Sequence, residues 1–499
     1  MDTMARIGGA AAAEAEDFDV VIVGAGIAGI GSAYHLLTQA PGRSFVVIEE
    51  KSSFGGTWFT HRYPGARSDS DLHTFGYGFK PWSGPPIATA SEILSYMGEV
   101  IAENGLDRFI RYGTRVISAD WCEADARWTL TIESGEGGER RIVTASFLWM
   151  CQGYYRHSAG YMPEWPGMSD FRGMIVHPQH WPDDIDLDDK RVVVIGSGAT
   201  AATLIPALAS RVAHVTMLQR SPGYFTVGRN RNELAETLRE LEVDPAWIHE
   251  IVRRSILSEG AKRTRGILAN PERAREELLK ALGEHLDHET ITRHFTPSYD
   301  PWRQRICFVP DGDFFKALGS GRASVVTDEI DRFVESGLLL RSGENLAADV
   351  IVTATGFSLA VLGDIAFSLD GEPLDLSASV TYRGMMFTGV PNLVWVFGYF
   401  RASWTLRADL IGDFVPRLLR RMDERGASRV RVQLRPEDEG MELGPWVDPA
   451  DFNPGYLTRD MHRMPRSGSK AEWRHTQEYW LDRRDFPSID LDDAAFSYG

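Results

Sequence analysis

Residues 18–50 read FDVVIVGAGIAGIGSAYHLLTQAPGRSFVVIEE. The opening FDVVIV is apolar and largely β-branched, as expected of a strand buried on both faces of a parallel sheet. Gly24, Gly26 and Gly29 follow it as G-x-G-x-x-G. Tyr34, Leu36 and Leu37 continue in a helical pattern, and FVVIEE supplies a second strand ending at Glu49. That acid stands 25 positions after Gly24 (49 minus 24), near the ~20 typical of a dinucleotide fingerprint. Strand, tight turn, helix, strand and acid in this order predict a Rossmann-like unit. Its glycines let the backbone approach a pyrophosphate, whose charge the helix N-terminus stabilises. Glu49, or Glu50 beside it, can accept hydrogen bonds from the ribose hydroxyls.

The design returns at residues 191–208, RVVVIGSGATAATLIPAL. Val192–Ile195 is the strand, Gly196, Gly198 and Ala201 form G-x-G-x-x-A, and Thr200 stands at the start of the helix. The next strand, HVTMLQRSP, ends in Gln219, Arg220 and Ser221. A cation and a hydroxyl replace the carboxylate of an NAD site, which suits the 2′-phosphate of NADPH. Leu234, Leu238 and Leu241, then Leu278, Leu282 and Leu286, recur at helical spacing among charges, predicting a helical insertion over about 224–300. His285, Asp287 and His288 read as a solvated helix face; no further ligands complete a metal spacing. The fold class is therefore α/β, with two Rossmann-like dinucleotide-binding domains and a helical insertion in the second.

Between the fingerprints lies FRGMIVHPQHWP, residues 171–182. It reads as neither clean helix nor clean strand, with proline at 178 and 182 denying a continuous helix. Earlier, FGGTWFTHRYPGARSDSD at 54–71 is a glycine- and proline-rich structured loop. Later come PWRQRICFVP, with Arg305, and ADVIVTATGF, a strand running into a turn at Gly356. The spacing of Phe171, Gly173, His177, Trp181 and Pro182 resembles the linker signature of type I Baeyer–Villiger monooxygenases, which are class B flavoprotein monooxygenases. Together, five motifs in the right order resemble that family over roughly residues 18–480. The loop continuing through GYGFKPW is most similar to the ethionamide-activating mycobacterial type.

The resemblance implies an FAD domain over 1–152 with a flexible tail at 1–16, an NADPH domain over 153–355, and a return to the FAD domain with a C-terminal wrap over 356–499. It implies that Gly56, Thr57, Trp58, Tyr63 and Arg67 belong to the flavin side, and that Asp69 and Arg305 are the catalytic pair. It also implies the reaction. NADPH reduces FAD, dioxygen adds to give a C4a-peroxyflavin, and one oxygen atom enters beside a ketone carbonyl to give an ester or lactone. Oxygenation of sulfur or nitrogen is the alternative, and a redox-silent flavoprotein a remoter one. Three positions depart from the family pattern. Gln152 stands in a small-residue hinge, Gln304 replaces a lysine that contacts the nicotinamide cofactor, and Arg401 replaces an asparagine before A-S-W-T. That last departure predicts Arg401 and Trp404 in the substrate pocket.

Composition bounds the rest. At 499 residues with a net charge of −17, the chain repels nucleic acid and anionic membranes as main partners; a small-molecule substrate and dioxygen are the expected ones. Cys122, Cys151 and Cys307 are far apart, which excludes a CxxC redox motif and fits a reducing, cytoplasmic setting. Neither a signal peptide nor a transmembrane run is expected.

Overall fold

A computed structural model describes residues 15–135 and 137–499. The tail expected over 1–16 lies outside the described residues through position 14, and Glu16 already belongs to the first strand. That strand, β1 (Glu16–Val23), leads through α1 (Ile27–Gln39) to β2 (Phe45–Ile48). Short helices α2 (Thr57–Thr60) and α3 (Leu72–Phe75) and the longer α4 (Ala90–Asn104) follow. Thr89 and Glu92 close α4 with a reciprocal capping box, satisfying donors the helix start would otherwise leave unpaired. β3 (Ile110–Arg111) completes one edge, and β4 (Thr114–Cys122), β5 (Arg127–Ser134) and β6 (Glu139–Met150) form an antiparallel meander. The long β6 unites the two parts: its first half pairs antiparallel with β5, and it runs parallel to β1.

The second unit is a five-stranded parallel sheet. In chain order it holds β7 (Met174–Val176), β8 (Arg191–Ile195), α5 (Ala199–Ala209), β9 (His214–Gln219) and β10 (Phe225–Gly228). Helices α6 (Glu233–Glu240), α7 (Pro245–Ala269), α8 (Pro271–Leu282) and α9 (His288–His294) make the insertion. β11 (Cys307–Pro310), α10 (Asp313–Gly319), β12 (Ala323–Thr327) and β13 (Val350–Thr353) close the unit. The sheet order is β12-β9-β8-β13-β7, and β10 pairs with β11 beside it. The chain then returns to the first unit. β14 (Ala366–Leu369) joins β4, β15 (Leu393–Trp395) joins the end of β6, and α11 (Thr405–Glu424) packs on α1.

Two expectations change. The FRGMIVHPQHWP stretch, read as neither clean helix nor clean strand, contains a short piece of each: Met174–Val176 is the edge strand β7, paired with Val350–Val352, and Pro178 opens a single 3₁₀ turn capped by His177. Pairing with a preformed sheet edge overrides the weak local pattern. The insertion begins at Glu233 rather than 224, because Phe225–Gly228 is taken up by pairing with β11. Leu238 packs inside it, but Leu234 and Leu241 are exposed. Asp287 caps α9 through Thr290, and His285 stacks on Phe315. Among the described residues no helix is long and apolar enough to cross a membrane.

The two chain crossings between the units run side by side. Arg156 N–H donates to the Ser358 carbonyl, Tyr161 N–H to Gly356 and Ala360 N–H to Tyr154. Gly153 and Gly356 both adopt positive φ, +81° and +99°, turns that a side chain would strain.

Candidate active site

At the first fingerprint, each glycine has a different reason. A Cβ on Gly29 would lie 1.8 Å from the Gly24 carbonyl oxygen, so this position is closed by helix–strand packing. Gly24, at φ +100°, sits against the Cys151 backbone. Gly26 is different: its added Cβ meets only the Gly56 Cα, at 3.7 Å. Gly26 caps α1 with no side-chain bond, leaving first-turn amides for an anion. Glu49 is buried at the end of β2. Its carboxylate accepts from Ala25 N–H at 2.6 Å and Lys51 N–H at 2.8 Å. Burial pushes its pKa up against the pull of those amides.

At the second fingerprint, a Cβ on Gly196 would lie 2.2 Å from the Ala354 carbonyl oxygen, whereas one on Gly198 would meet nothing within 4 Å. Gly198 caps α5, also without a side-chain bond. Ala201 is fully buried, where anything larger would push the helix off the sheet. A cavity of about 990 Å³ opens here. Gly196, Gly198, Thr200, Arg220 and Ser221 line it, and Thr57, Trp58, Tyr63, Arg67, Asp69, Gln304 and Arg305 close it from the other side. Arg220 forms no ion pair among the described residues. Gly24, Gly26, Gly29, Glu49 and Gly56 lie outside this lining, as do Phe171, Gly173, His177 and Trp181.

The loop RYPGARSD joins the two units, turning at Gly65. Gly65, at φ +77°, is so close to α5 that a Cβ would lie 2.8 Å from the Thr203 carbonyl oxygen. Arg67 makes a bidentate pair with Asp313 at the start of α10, at 2.5 and 3.1 Å; its guanidinium is thus engaged by protein. Asp69 accepts from Arg305 Nε and Nη2, both at 2.7 Å. The Asp69 charge raises the Arg305 pKa despite burial, so the guanidinium stays charged.

Asp69 and Arg305 line a second chamber too, of about 240 Å³. Ile256, Leu257, Gly260 and Ala261 of α7 line it with Trp302, Phe400 and Trp480, beside the polar Asp71, Arg265, Gln477 and Glu478. The ion pair thus stands between a large cavity and a small one. The 41% of the Arg305 side chain that remains exposed faces these spaces.

Two tyrosines escaped the sequence reading. Tyr154 and Tyr456 line the large cavity with Arg305, and burial raises both phenols. Tyr456 belongs to α12 (Gly455–Asp460), part of the C-terminal stretch, which is an ordered wrap here. Its signal was the PGYL turn alone. His177 holds the Gln179 amide through Nδ1 at 3.2 Å, and its ring lies where a Gly160 side chain would be, 1.9 Å from a Cβ built there. Burial, then the neighbouring His180, lowers its pKa to about 4. It is a neutral packing and capping group.

The two residues expected in a substrate pocket part company: Arg401 lines the small chamber and Trp404 does not. Trp404 stacks on Tyr154 with ring centroids 5.0 Å apart and lies against Gly398; it is packing and lines neither cavity. Arg401 touches the small chamber, but its guanidinium is committed to Asp451. Gln152 turns back on the chain, donating to the Gly153 carbonyl at 3.2 Å.

Comparison with known proteins identifies the family. A family model described as flavin-binding monooxygenase-like matches residues 78–235, and one described as an NAD(P)-binding Rossmann-like domain matches residues 22–87. The chain is 46% identical to an FAD-containing monooxygenase EthA of Mycolicibacterium smegmatis, covering 94% of each chain. It is 43% identical to its namesake in Mycobacterium tuberculosis, covering 97% of this chain and 98% of that one. Among solved structures, an oxidized steroid monooxygenase bound to NADP superposes with a TM-score of 0.77 at 25% identity, covering 97% and 99%.

Proposed function

This chain belongs to the FAD-containing, flavin-binding monooxygenases, and from that premise we propose that it uses NADPH and dioxygen to insert one oxygen atom beside a ketone carbonyl, giving an ester or lactone. FAD belongs at the first fingerprint, in the unit formed by 1–152 and 356–499. NADPH belongs at the second, in 153–355. The residues present fit both groups. The open face between Gly26 and Gly56 would be filled by a single Cβ, and it adjoins the uncapped start of α1; both features suit a pyrophosphate. Arg220 and Ser221 on the cavity wall suit a 2′-phosphate.

One observation carries the reading: the Asp69–Arg305 pair lies between the cavity of the second fingerprint and a small chamber that α7, Trp302 and Phe400 help to line. The flavin supplies the redox and oxygen-transfer chemistry when bound. The protein's part is to bind, orient and exclude water. Arg305 provides a fixed cation that keeps its proton at any working pH, held in plane by both Asp69 oxygens. A fixed cation in an enclosed site stabilises developing negative charge without having to reorganise. The apolar walls from α7, Trp302 and Phe400 would hold the organic part of the substrate with its carbonyl toward Arg305. Glu49 would orient the flavin ribose through the lone pairs that Ala25 and Lys51 leave free. His177, neutral and capped, would keep β7 docked rather than move a proton.

Oxygenation of a sulfur or nitrogen atom is the second reading. The Asp69–Arg305 pair is neutral as a unit, and such transfer requires no net cation. The test is incubation of the holoenzyme with NADPH and matched ketones and thioethers, with products identified by mass spectrometry. Ester or lactone as the dominant product supports the first reading, and sulfoxide alone the second. An absence of NADPH-dependent flavin bleaching would remove both.

A further inference from the structure

Arg401 precedes the turn into α11, and only 6% of its side chain is exposed. Its terminal nitrogens reach both carboxylate oxygens of Asp451, at 3.0 and 2.9 Å. Nη2 also donates to the Asp451 carbonyl at 2.8 Å and to the Trp302 carbonyl at 3.1 Å. The Phe452 ring lies 5.6 Å from the guanidinium carbon. Nε has no partner among the described residues. Burying a guanidinium with one unpaired donor is costly, so its place should be sought in what it holds together.

It holds two segments that meet at the site. One is the loop through Asp300–Ile306, which carries Arg305. Within it Trp302 adopts φ +68°, a left-handed conformation that bulky residues keep only when their surroundings impose it. The Trp302 carbonyl is one of the groups Arg401 binds. The other segment, Asp451–Arg459, brings Tyr456 and Arg459 to the large cavity. Asn453 N–H donates to the Arg303 carbonyl at 2.9 Å, extending the same seam. Arginine is suited to this because its donors lie in one rigid plane; lysine offers a single point charge.

We propose that Arg401 is a positioning residue: with Asp451 it clamps the Trp302 turn to the segment Asp451–Arg459, and so sets where Arg305 and Tyr456 stand at the cavity. The clamp itself is independent of the reaction, whereas its effect on turnover rests on the monooxygenase reading above.

The experiment compares holoenzyme carrying Arg401→Lys, Asp451→Asn or both with the parent chain. Asp451→Asn keeps the shape and one acceptor, and serves if the arginine variant does not fold. Hydrogen exchange should quicken by about tenfold or more in peptides covering 300–306 and 451–459, the scale of one lost charge-assisted bond. Peptides from both fingerprints should exchange as before, with flavin content unchanged. The double variant should be no worse than the singles, as befits partners in one interaction. Flavin bleaching by NADPH should keep its rate while hydrogen peroxide released per NADPH rises several-fold. Unchanged exchange in both segments would overturn the clamp. Faster exchange with unchanged peroxide yield would overturn positioning. A parent enzyme that NADPH does not bleach would count against the monooxygenase reading, and the exchange rates would still decide the clamp.

Discussion

Arg305 is joined to Asp69 by two bonds of 2.7 Å, so removing either partner exposes the other. Arg305→Ala should leave flavin binding intact, because the first fingerprint lies outside the cavity lining. Oxygenation should fall by roughly 10²–10³, the usual loss for one preorganised stabiliser. The two electrons of NADPH would then go to dioxygen as hydrogen peroxide, which a coupled peroxidase assay measures against product. A near-parental product yield would mean that the cation acts elsewhere. Arg220 lies on the far wall of the same cavity without an acidic partner among the described residues. Arg220→Ala should raise the KM for NADPH by roughly tenfold or more, since charge-assisted bonds to phosphate are among the stronger ones, and should hardly change that for NADH. Equal losses with both nucleotides would make Arg220 a structural group.

At the scale of elements, the fingerprints divide their glycines between packing and ligand. Gly29→Ala has no room beneath it, and should lower the melting temperature of the flavin-free protein. Gly26→Ala faces the open side toward Gly56. It should leave that temperature alone and reduce the flavin-to-protein ratio read from absorbance. α1 also carries His35, which faces Asp409 and Asp413 of α11. Burial alone would lower its pKa, but hydrogen bonds and charge from the two aspartates outweigh burial and raise it to about 9. Asp409 also pairs with Arg253 at 3.3 Å. The fold therefore favours the protonated ring. Its stabilisation is complete below the ordinary value of 6.5 and is lost as pH rises through about 9, at most about 3 kcal/mol. Thermal melts across pH 6–10 should show this loss, and Asp413→Asn should flatten it; identical profiles would refute the coupling. Both fingerprints and the α8 part of the insertion were legible because their periodicities are local, whereas the stripe through α6 buries only Leu238. Edge strand β7 was not, because Met174–Val176 becomes a strand only by pairing with Val350–Val352, far away in sequence. The pairing of Arg401 was not legible for the same reason: its partner Asp451 lies beyond any local pattern. Tyr154 and Tyr456 meet Arg305 only after the chain has crossed between the units and returned.

At the scale of the whole molecule, the seam is the working part. Gly65, Arg67 and Asp69 of one unit reach α5, Asp313 and Arg305 of the other, so one loop holds two nucleotide folds in register. The antiparallel crossings at Gly153 and Gly356 connect them at the cavity's edge, where Tyr154 and Gly356 line it. This geometry brings the cavity of the second fingerprint, the RYPGARSD loop and a small chamber to one ion pair, the central claim of the account. The most direct test gives the holoenzyme NADPH, a ketone and isotopically labelled dioxygen, and follows the label by mass spectrometry. The account predicts one labelled atom in the ester or lactone, formed with NADPH oxidation and abolished in Arg305→Ala. Unlabelled product, or labelled product formed equally well without Arg305, would contradict it.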